Sequence, residues 1–329
     1  MKRTTIKDVA REAGVSISTV SNALNNSGVI SEKTRALVLE VAERLHYIPN
    51  RSGQSLRNQE KKAIGLFLHE LRGAYYGTLA DTLHHECRKR GYELYIFITH
   101  DDNTILQKTI GGDVSAAVLF CEVSGRVLQE LNHAGIPVVG LNAEISDECI
   151  SSIAFDSYHA GELAANYLMS LGHKRLMHIS GIQNNYDSIS REKGMRDAMA
   201  RQGLALEAEY LLEGQFSRSQ AYQEMKRFLA EGKSLPEGIF AANDESAHGC
   251  IQALHEEGYN VPEDVSIVGC DDIEMCEIMT PTLTTIRTNF AEQGALALRC
   301  LMDMMDGAKG CVHYIDGQLV IRNSCKAKV

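Results

Sequence analysis

Ile6, Val9, Ala10 and Ala13 recur at helical spacing and predict a short first helix with one narrow apolar stripe. Thr5 stands at its N-cap with Asp8 three residues on, close to a capping box, and Gly14 ends it where a positive φ is needed. Ser16 caps a second helix, with Val15 and Val20 set as a hydrophobic staple. Val20, Ala23 and Leu24 turn inward. That leaves Ile17, Ser18, Ser21, Asn22 and Asn25 outward, small or amide-bearing residues suited to a groove. Ser31 caps a third helix over 32–45, whose Ala36, Val38, Leu39, Val41, Ala42 and Leu45 are expected to close a three-helix core. Two helices about a glycine turn, the second short and polar-faced, describe a helix-turn-helix that reads the DNA major groove. An ordinary helical hairpin is the alternative.

Beyond the polar joint at 59–62 the pattern becomes an alternation of strands and helices. Strands are expected at 63–68, 92–99, 116–121, 137–141, 176–180, 238–242, 265–269 and 315–322. Helices are expected at 76–90, 126–134, 159–171, 191–202, 217–231, 244–257 and 290–306. Repeated β-α-β predicts two parallel sheets flanked by helices, with ligands bound beyond the carboxyl ends of the strands, in a cleft between two lobes. Only about sixteen residues separate the strands at 99 and 116, and a right-handed crossover needs about a dozen, so the helix there is short or missing.

Composition narrows the class. The 329 residues leave room for a small domain and one or two larger ones. They are 44% apolar without an apolar run near twenty, so no membrane span is read. The opening Met-Lys-Arg-Thr-Thr lacks an apolar segment, and a cytoplasmic location is expected. Nine cysteines, none in a C-x-x-C pair, are expected as free thiols. His84 and Cys87 share a helical face but lack a second pair, so no metal site is assigned. P-loop, H-E-x-x-H and G-x-S-x-G patterns are absent, which leaves no catalytic residue, no cofactor and no enzyme to propose. Net charge is −10, yet residues 1–58 carry nine Lys/Arg against five Asp/Glu, so residues 59–329 hold −14. A basic cap on an acidic body confines phosphate contact to the cap.

Following the three helices, Tyr47-Ile48-Pro49-Asn50-Arg51 and Ser52-Gly53-Gln54-Ser55-Leu56-Arg57 complete a string, in order and ungapped from residue 4. It resembles the headpiece and hinge of the lactose-repressor (LacI/GalR) family of bacterial transcription regulators. Further landmarks are Ile64-Gly65-Leu66, Gly135-Ile136-Pro137-Val138, Leu171-Gly172-His173, Ala242-Asn243-Asp244, Pro262 to Gly269, Asp271-Asp272 and Pro281 to Ile286. These resemble the family's effector-binding core, itself similar to a periplasmic sugar-binding protein. The resemblance implies an α/β protein: an all-α helix-turn-helix headpiece over 1–49, a hinge helix and linker over 50–61, and a two-lobed, periplasmic-binding-protein-like core of two doubly wound parallel sheets over 62–329. Lobe 1 would take about 62–155 and 288–314, lobe 2 about 157–285 and 317–329, with crossings near 156, 287 and 316.

The resemblance also assigns roles. Ile17, Ser18 and Asn22 stand where family members read bases: Asn pairs bidentately with adenine, Ser serves several bases, and Ile touches only a thymine methyl. Thr5, Ser16, Thr19, Ser21, Asn25, Tyr47 and Asn50 match positions that grip the DNA backbone. Leu56 matches the hinge leucine that wedges into the minor groove. Tyr75, Tyr76, Asn142, Arg191, Phe216, Asn243 and Asp271 match the effector pocket. Rings against the C–H face of a sugar, with Asp and Asn dividing its hydroxyls, describe a polyol site. A purine would also suit the rings, and Arg191 could equally hold a carboxylate or phosphate. The expected function is a sequence-specific, ligand-responsive repressor of double-stranded operator DNA. It is expected as a homodimer on a near-palindrome, and not as a tetramer, since no leucine heptads close the chain. Alternatives are a regulator controlled by a nucleobase or a protein corepressor and, from another class, a sugar-binding or sugar-acting protein. The last would leave residues 1–57 without a purpose.

Overall fold

A computed structural model of the chain describes residues 5–24, 30–45, 47, 62–71, 74–121, 123–142, 145 and 149–328. The chain divides into two units, 1–61 and 62–329. In the first, Ile6–Ala13 (α1), Ile17–Leu24 (α2) and Glu32–Arg44 (α3) are helical. The capping box forms, with Thr5 N donating to Asp8 Oδ2 at 3.0 Å. Gly14 takes φ 63°, and Val15 N reaches back to Ala10 O at 3.1 Å. Val9, Val20 and Val38 meet at the fully buried centre of the three helices. Ala36 and Leu39 were expected there and instead face solvent, Leu39 being 47% exposed. The stripe that packs is Val38, Val41, Ala42 and Leu45, and a helical turn of 3.6 residues carries positions 36 and 39 round to its outer side.

In the second unit, β1 (Ala63–Leu68), β2 (Glu93–Ile98), β3 (Ala116–Phe120), β4 (Val138–Leu141), β5 (Ile150–Phe155) and β11 (Val312–Ile315) form one parallel sheet, ordered β11-β5-β4-β3-β1-β2. Ile64, Leu66, Leu68, Ala116 and Val118 pack with α4 (Ala74–Lys89) and α12 (Phe290–Met305). The intervening Phe67, Ala117 and Leu119 pack with α5 (Asp102–Thr109) and α6 (Gly125–His133). Burial on both faces is why these strands read as unbroken apolar runs. A second sheet holds β6 (Leu176–Ser180), β7 (Leu211–Glu213), β8 (Gly238–Ala241), β9 (Ser266–Asp271), β10 (Thr284–Arg287) and β12 (Gln318–Val320), ordered β12-β10-β9-β8-β6-β7. Its helices are α7 (Ser157–Ser170), α8 (Tyr186–Arg201), α9 (Arg218–Ala230), α10 (Asp244–Glu256) and the single turn α11 (Met275–Ile278). Both sheets wind alike: the first strand lies between the second and third, which opens a crevice at the carboxyl ends. The chain passes between the sheets at Asp156, at 288–289 and at 316–317.

Several elements differ from expectation. The second sheet is parallel except for β12, which runs antiparallel to β10. The single strand expected over 315–322 is two, β11 and β12, parted at Asp316-Gly317 and belonging to different sheets. β5 was not read as a strand because Ser151 and Ser152 interrupt its apolar run. Both serines are buried, and Ser151 Oγ accepts from Cys311 N at 3.3 Å. β7, β10 and α11 were also missed. The short crossover does hold a helix, the eight-residue α5, capped by Asp101 through Asn103 N and Thr104 N at 3.1 and 3.2 Å. Helix α8 begins at Tyr186, capped by Asn185, so Arg191 sits inside the helix and not at its start.

Glycines decide how the helices of the second sheet pack. A Cβ on Gly161 of α7 would stand 2.1 Å from Arg191 O, and one on Gly194 of α8 would stand 1.9 Å from Tyr158 O. These two helices therefore touch backbone to backbone. α9 and α10 repeat the device at Gly249, whose Cβ would stand 2.2 Å from Arg218 O.

His178 on β6 is fully buried and stacks on Phe240, with ring centroids 5.1 Å apart. Its Nδ1–H donates to Phe240 O at 2.9 Å, since a carbonyl can only accept, and Nε2 has no partner among the described residues. Burial pushes its pKa down to about 4. The unfolded chain binds this proton near pH 6.5 and the folded chain only near pH 4, so acid draws the equilibrium toward unfolding across that window. The contribution should approach about 3 kcal/mol at pH 4. His178→Asn keeps a donor near Nδ1 and removes the titration. Denaturation of both proteins at pH 7.5 and 4.5 should show a flatter pH dependence in the variant, and parallel curves would acquit His178.

Candidate functional site

The outer face of α2 carries the first site. Ser16 Oγ accepts from Thr19 N at 3.1 Å and lies 2.7 and 2.8 Å from the hydroxyls of Ser18 and Thr19, a hydroxyl cluster at the helix start. Ile17 is 45% exposed, large for an isoleucine on so short a helix, and Ser18 is exposed beside it. Ser21 and Asn22 are half-buried one turn on, while Val20 and Ala23 hold the helix to the headpiece core. The structure thus brings Ile17, Ser18, Ser21 and Asn22 onto one side. Thr5 is engaged with Asp8 in its capping box, and Tyr47 is half-buried against the three-helix core, its N–H reaching Ala42 O at 2.8 Å. Asn25, Asn50 and Leu56, with the expected hinge helix over 50–61, lie outside the described residues.

The second site is a cavity of about 540 Å³ lined by residues from both sheets of 62–329. All seven residues expected for the effector line it: Tyr75, Tyr76, Asn142, Arg191, Phe216, Asn243 and Asp271. They come together because Asn142, Phe216, Asn243 and Asp271 follow or end β4, β7, β8 and β9, the carboxyl ends of parallel strands. The backbone there is bent to purpose. Asn142, Gln215, Phe216 and Asp271 all take positive φ, at 51°, 52°, 53° and 122°. Such conformations disfavour side chains other than glycine and persist where surrounding structure enforces them.

From the first sheet, Tyr75 packs against Tyr76, Phe120 and Phe290 with ring centroids 5.5, 4.7 and 4.3 Å away. Its hydroxyl donates to Gln293 Oε1 at 2.8 Å, and Gln293 Nε2 donates to Asn142 Oδ1 at 2.6 Å. This relay ties Tyr75 of α4 to Asn142 after β4 through Gln293 of α12. From the second sheet, Arg191 is buried, its guanidinium donating to Ala242 O and, at 3.3 Å, to Ser157 Oγ. Its Cζ lies 5.6 Å from the ring of Phe155 and 5.8 Å from that of Phe216. Ser157 Oγ donates in turn to Asp187 Oδ1 at 2.7 Å. Asn243 has a structural task as the cap of α10: its Oδ1 takes Ser246 N at 2.9 Å and its Nδ2 donates to Phe216 O at 3.1 Å. One amide hydrogen of Asn243 is left for a ligand. Burial pushes the Asp271 carboxyl well above the usual carboxylate range. Asp244 and Asp187 push the same way, and Arg191 offsets only part.

Sequence reading missed Gln293, Asp187, Phe120, Phe155 and Phe290. Asp187 was hidden because the start of α8 was set too late. The others belong to strand ends and to α12, where no local pattern marks a residue as facing a cleft.

The chain matches the family model "Bacterial regulatory proteins, lacI family" over residues 5–50 and "Periplasmic binding protein-like domain" over 165–325. It is 30% identical to the HTH-type transcriptional repressor PurR of Pasteurella multocida, covering 99% of each chain. A Lac repressor dimer bound to operator and the anti-inducer ONPF superposes with TM-score 0.85 at 27% identity, over 99% of this chain and 100% of that one. A LacI family regulator from Enterococcus faecium with bound ribose superposes with TM-score 0.75 at 25% identity, over 82% of this chain and all of that one.

Proposed function

The chain belongs to the lacI family of bacterial regulatory proteins and is a DNA-binding transcriptional regulator, not an enzyme; from that premise we propose a homodimeric repressor whose grip on a near-palindromic operator is set by a sugar or sugar derivative in the cleft of residues 62–329. The observation that carries the ligand reading is the cleft itself. Packed rings form one wall, and carboxylate and amide acceptors sit at the strand ends of both sheets. A molecule held there touches both lobes, so its binding free energy depends on how the lobes stand to each other. That differential is what an allosteric ligand needs, typically about 1 to 3 kcal/mol. The ribose bound by the Enterococcus faecium relative supports a sugar.

For DNA, Ile17, Ser18 and Asn22 are the base readers, and the hydroxyls of Ser16, Thr19 and Ser21 meet the phosphate backbone with Thr5 and Tyr47. Asn25, Asn50 and Leu56 complete the interface in this reading. A dimer is supported by β2, an edge strand that leaves Tyr95, Ile96 and Ile98 at 41%, 43% and 56% exposure. An uncovered apolar edge is a pairing surface.

Asn22→Ala tests the DNA reading. It should cost about 1 to 3 kcal/mol on the preferred operator and relax preference at one symmetric position, as the loss of a bidentate contact does. Binding-site selection with both proteins at fixed salt measures this. An unchanged sequence preference would remove Asn22, and the placement of α2 in the groove, from the reading.

A further inference from the structure

We propose that the cleft selects a hydroxyl-rich ligand without negative charge and favours one carrying a protonated amine, an amino sugar over a uronate or a sugar phosphate; the proposal rests on the sugar reading above and fixes its charge. Four carboxylates line the cavity, Glu70, Asp187, Glu245 and Asp271, against two guanidiniums, Arg191 and Arg218. Both cations are engaged by the protein. Arg191 is held by Ala242 O and Ser157 Oγ between two aromatic rings, and Arg218 donates to Gln252 Oε1 at 3.0 Å on the exposed side of its helix. The planar fork that would seize a carboxylate or phosphate is therefore already occupied in part.

Helix N-termini are the other natural anion seats, since their free N–H groups and dipole favour negative charge. Helices α4, α8, α9, α10 and α12 all begin at the cleft; α8 and α10 place a first-turn carboxylate in its lining, Asp187 and Glu245, whereas α4 and α9 carry no acid in their first turns. At α8 and α10 the chain has filled the seat itself. An ionised carboxylate only accepts hydrogen bonds, so these groups call for a ligand that donates, through hydroxyls or through an ammonium.

The test is titration calorimetry of the full-length protein at pH 7 with pentoses and with gluco-, galacto- and manno-hexoses. Each hexose is compared with its 2-amino-2-deoxy, uronate and 6-phosphate forms. In the configuration that fits, the amine should bind at least tenfold more tightly than the parent sugar, and the uronate and phosphate at least tenfold more weakly. Glu245→Gln, at a half-buried position, should shrink that ranking, and Asp187→Asn should shrink it further. A uronate or phosphate that matches its parent in the wild type, or an amine weaker than its parent, overturns the charge inference and leaves the sugar reading standing. Heat from no sugar in the panel overturns both.

Discussion

Alanine at Gly194 should destabilise residues 62–329 by about 3 kcal/mol or more, at the upper end of what overpacking costs. The reason is the identity of the neighbour. The new Cβ would stand 1.9 Å from a main-chain oxygen, Tyr158 O, and not from the tip of a side chain that could swing aside. Helices α7 and α8 would have to separate, and the contacts of Ala160, Ala164, Met195 and Ala198 along their seam would loosen together. Gly161→Ala should behave alike, since its Cβ would meet Arg191 O at 2.1 Å. Because that carbonyl belongs to the cleft arginine, either variant that still folds should also lose ligand affinity. Gly77 supplies the contrast. It is exposed on α4 with nothing within 4 Å of a built Cβ, so Gly77→Ala should stabilise by about 0.5 to 1 kcal/mol through helix propensity alone. Chemical denaturation of the three variants decides the matter. A loss below 1 kcal/mol at Gly194 would mean that the two helices do not meet at their backbones.

Replacing Ile96 and Ile98 together by glutamate should turn the protein into a folded monomer and lower operator affinity by about two to four orders of magnitude. Both residues lie on the edge strand β2, about half exposed and outside the buried clusters, so their replacement removes little from the core. In a dimer, two like-charged pairs would face each other across the interface, where such juxtaposition is costly. A dimer binds the second half-site at the high effective concentration created by the first, and a monomer forfeits that gain without losing any single base contact. Sedimentation gives the mass, and operator titration at fixed salt gives the affinity. Ligand binding should persist, because neither isoleucine lines the cleft. A variant that remains dimeric would move the interface away from β2.

Much of this molecule is written locally. The capped helices of the headpiece and the continuously apolar β1 follow from residues within a few positions of one another, and they stand where the pattern put them. What was misread depends on distant partners. Ser151 can lie in a strand because Cys311 N and Met304 Sδ, each more than 150 residues on, satisfy it, while Ser152 Oγ is met by the backbone of Ile145. The split of the last strand between two sheets turns on Gly317. Its Cβ would meet Ile286 Cγ2 at 2.7 Å, a contact between residues far apart in sequence. The cleft was legible where family resemblance supplied its residues. Gln293 was invisible because its part in the site is to join Tyr75 to Asn142, more than 150 residues upstream of it, through one amide.

The three passages of the chain between its sheets also govern how it can be made. Residues 63–155 provide five of the six strands of the first sheet, yet the packing of Leu79 and Leu83 on α4 is completed by Ala297, Leu298 and Leu301 of α12, and the flank of β5 by β11. A ribosome adding about 5 to 20 residues per second delivers those late segments on the order of ten seconds after the sheet they complete. Throughout that interval the nascent first lobe presents an open strand edge and a bare leucine face, the features that molecular chaperones bind and that neighbouring chains aggregate through. Growth at high temperature or very fast expression should therefore damage the yield of this protein before either alters its operator or its ligand. A chain cut between β5 and α12 should be found in the insoluble fraction.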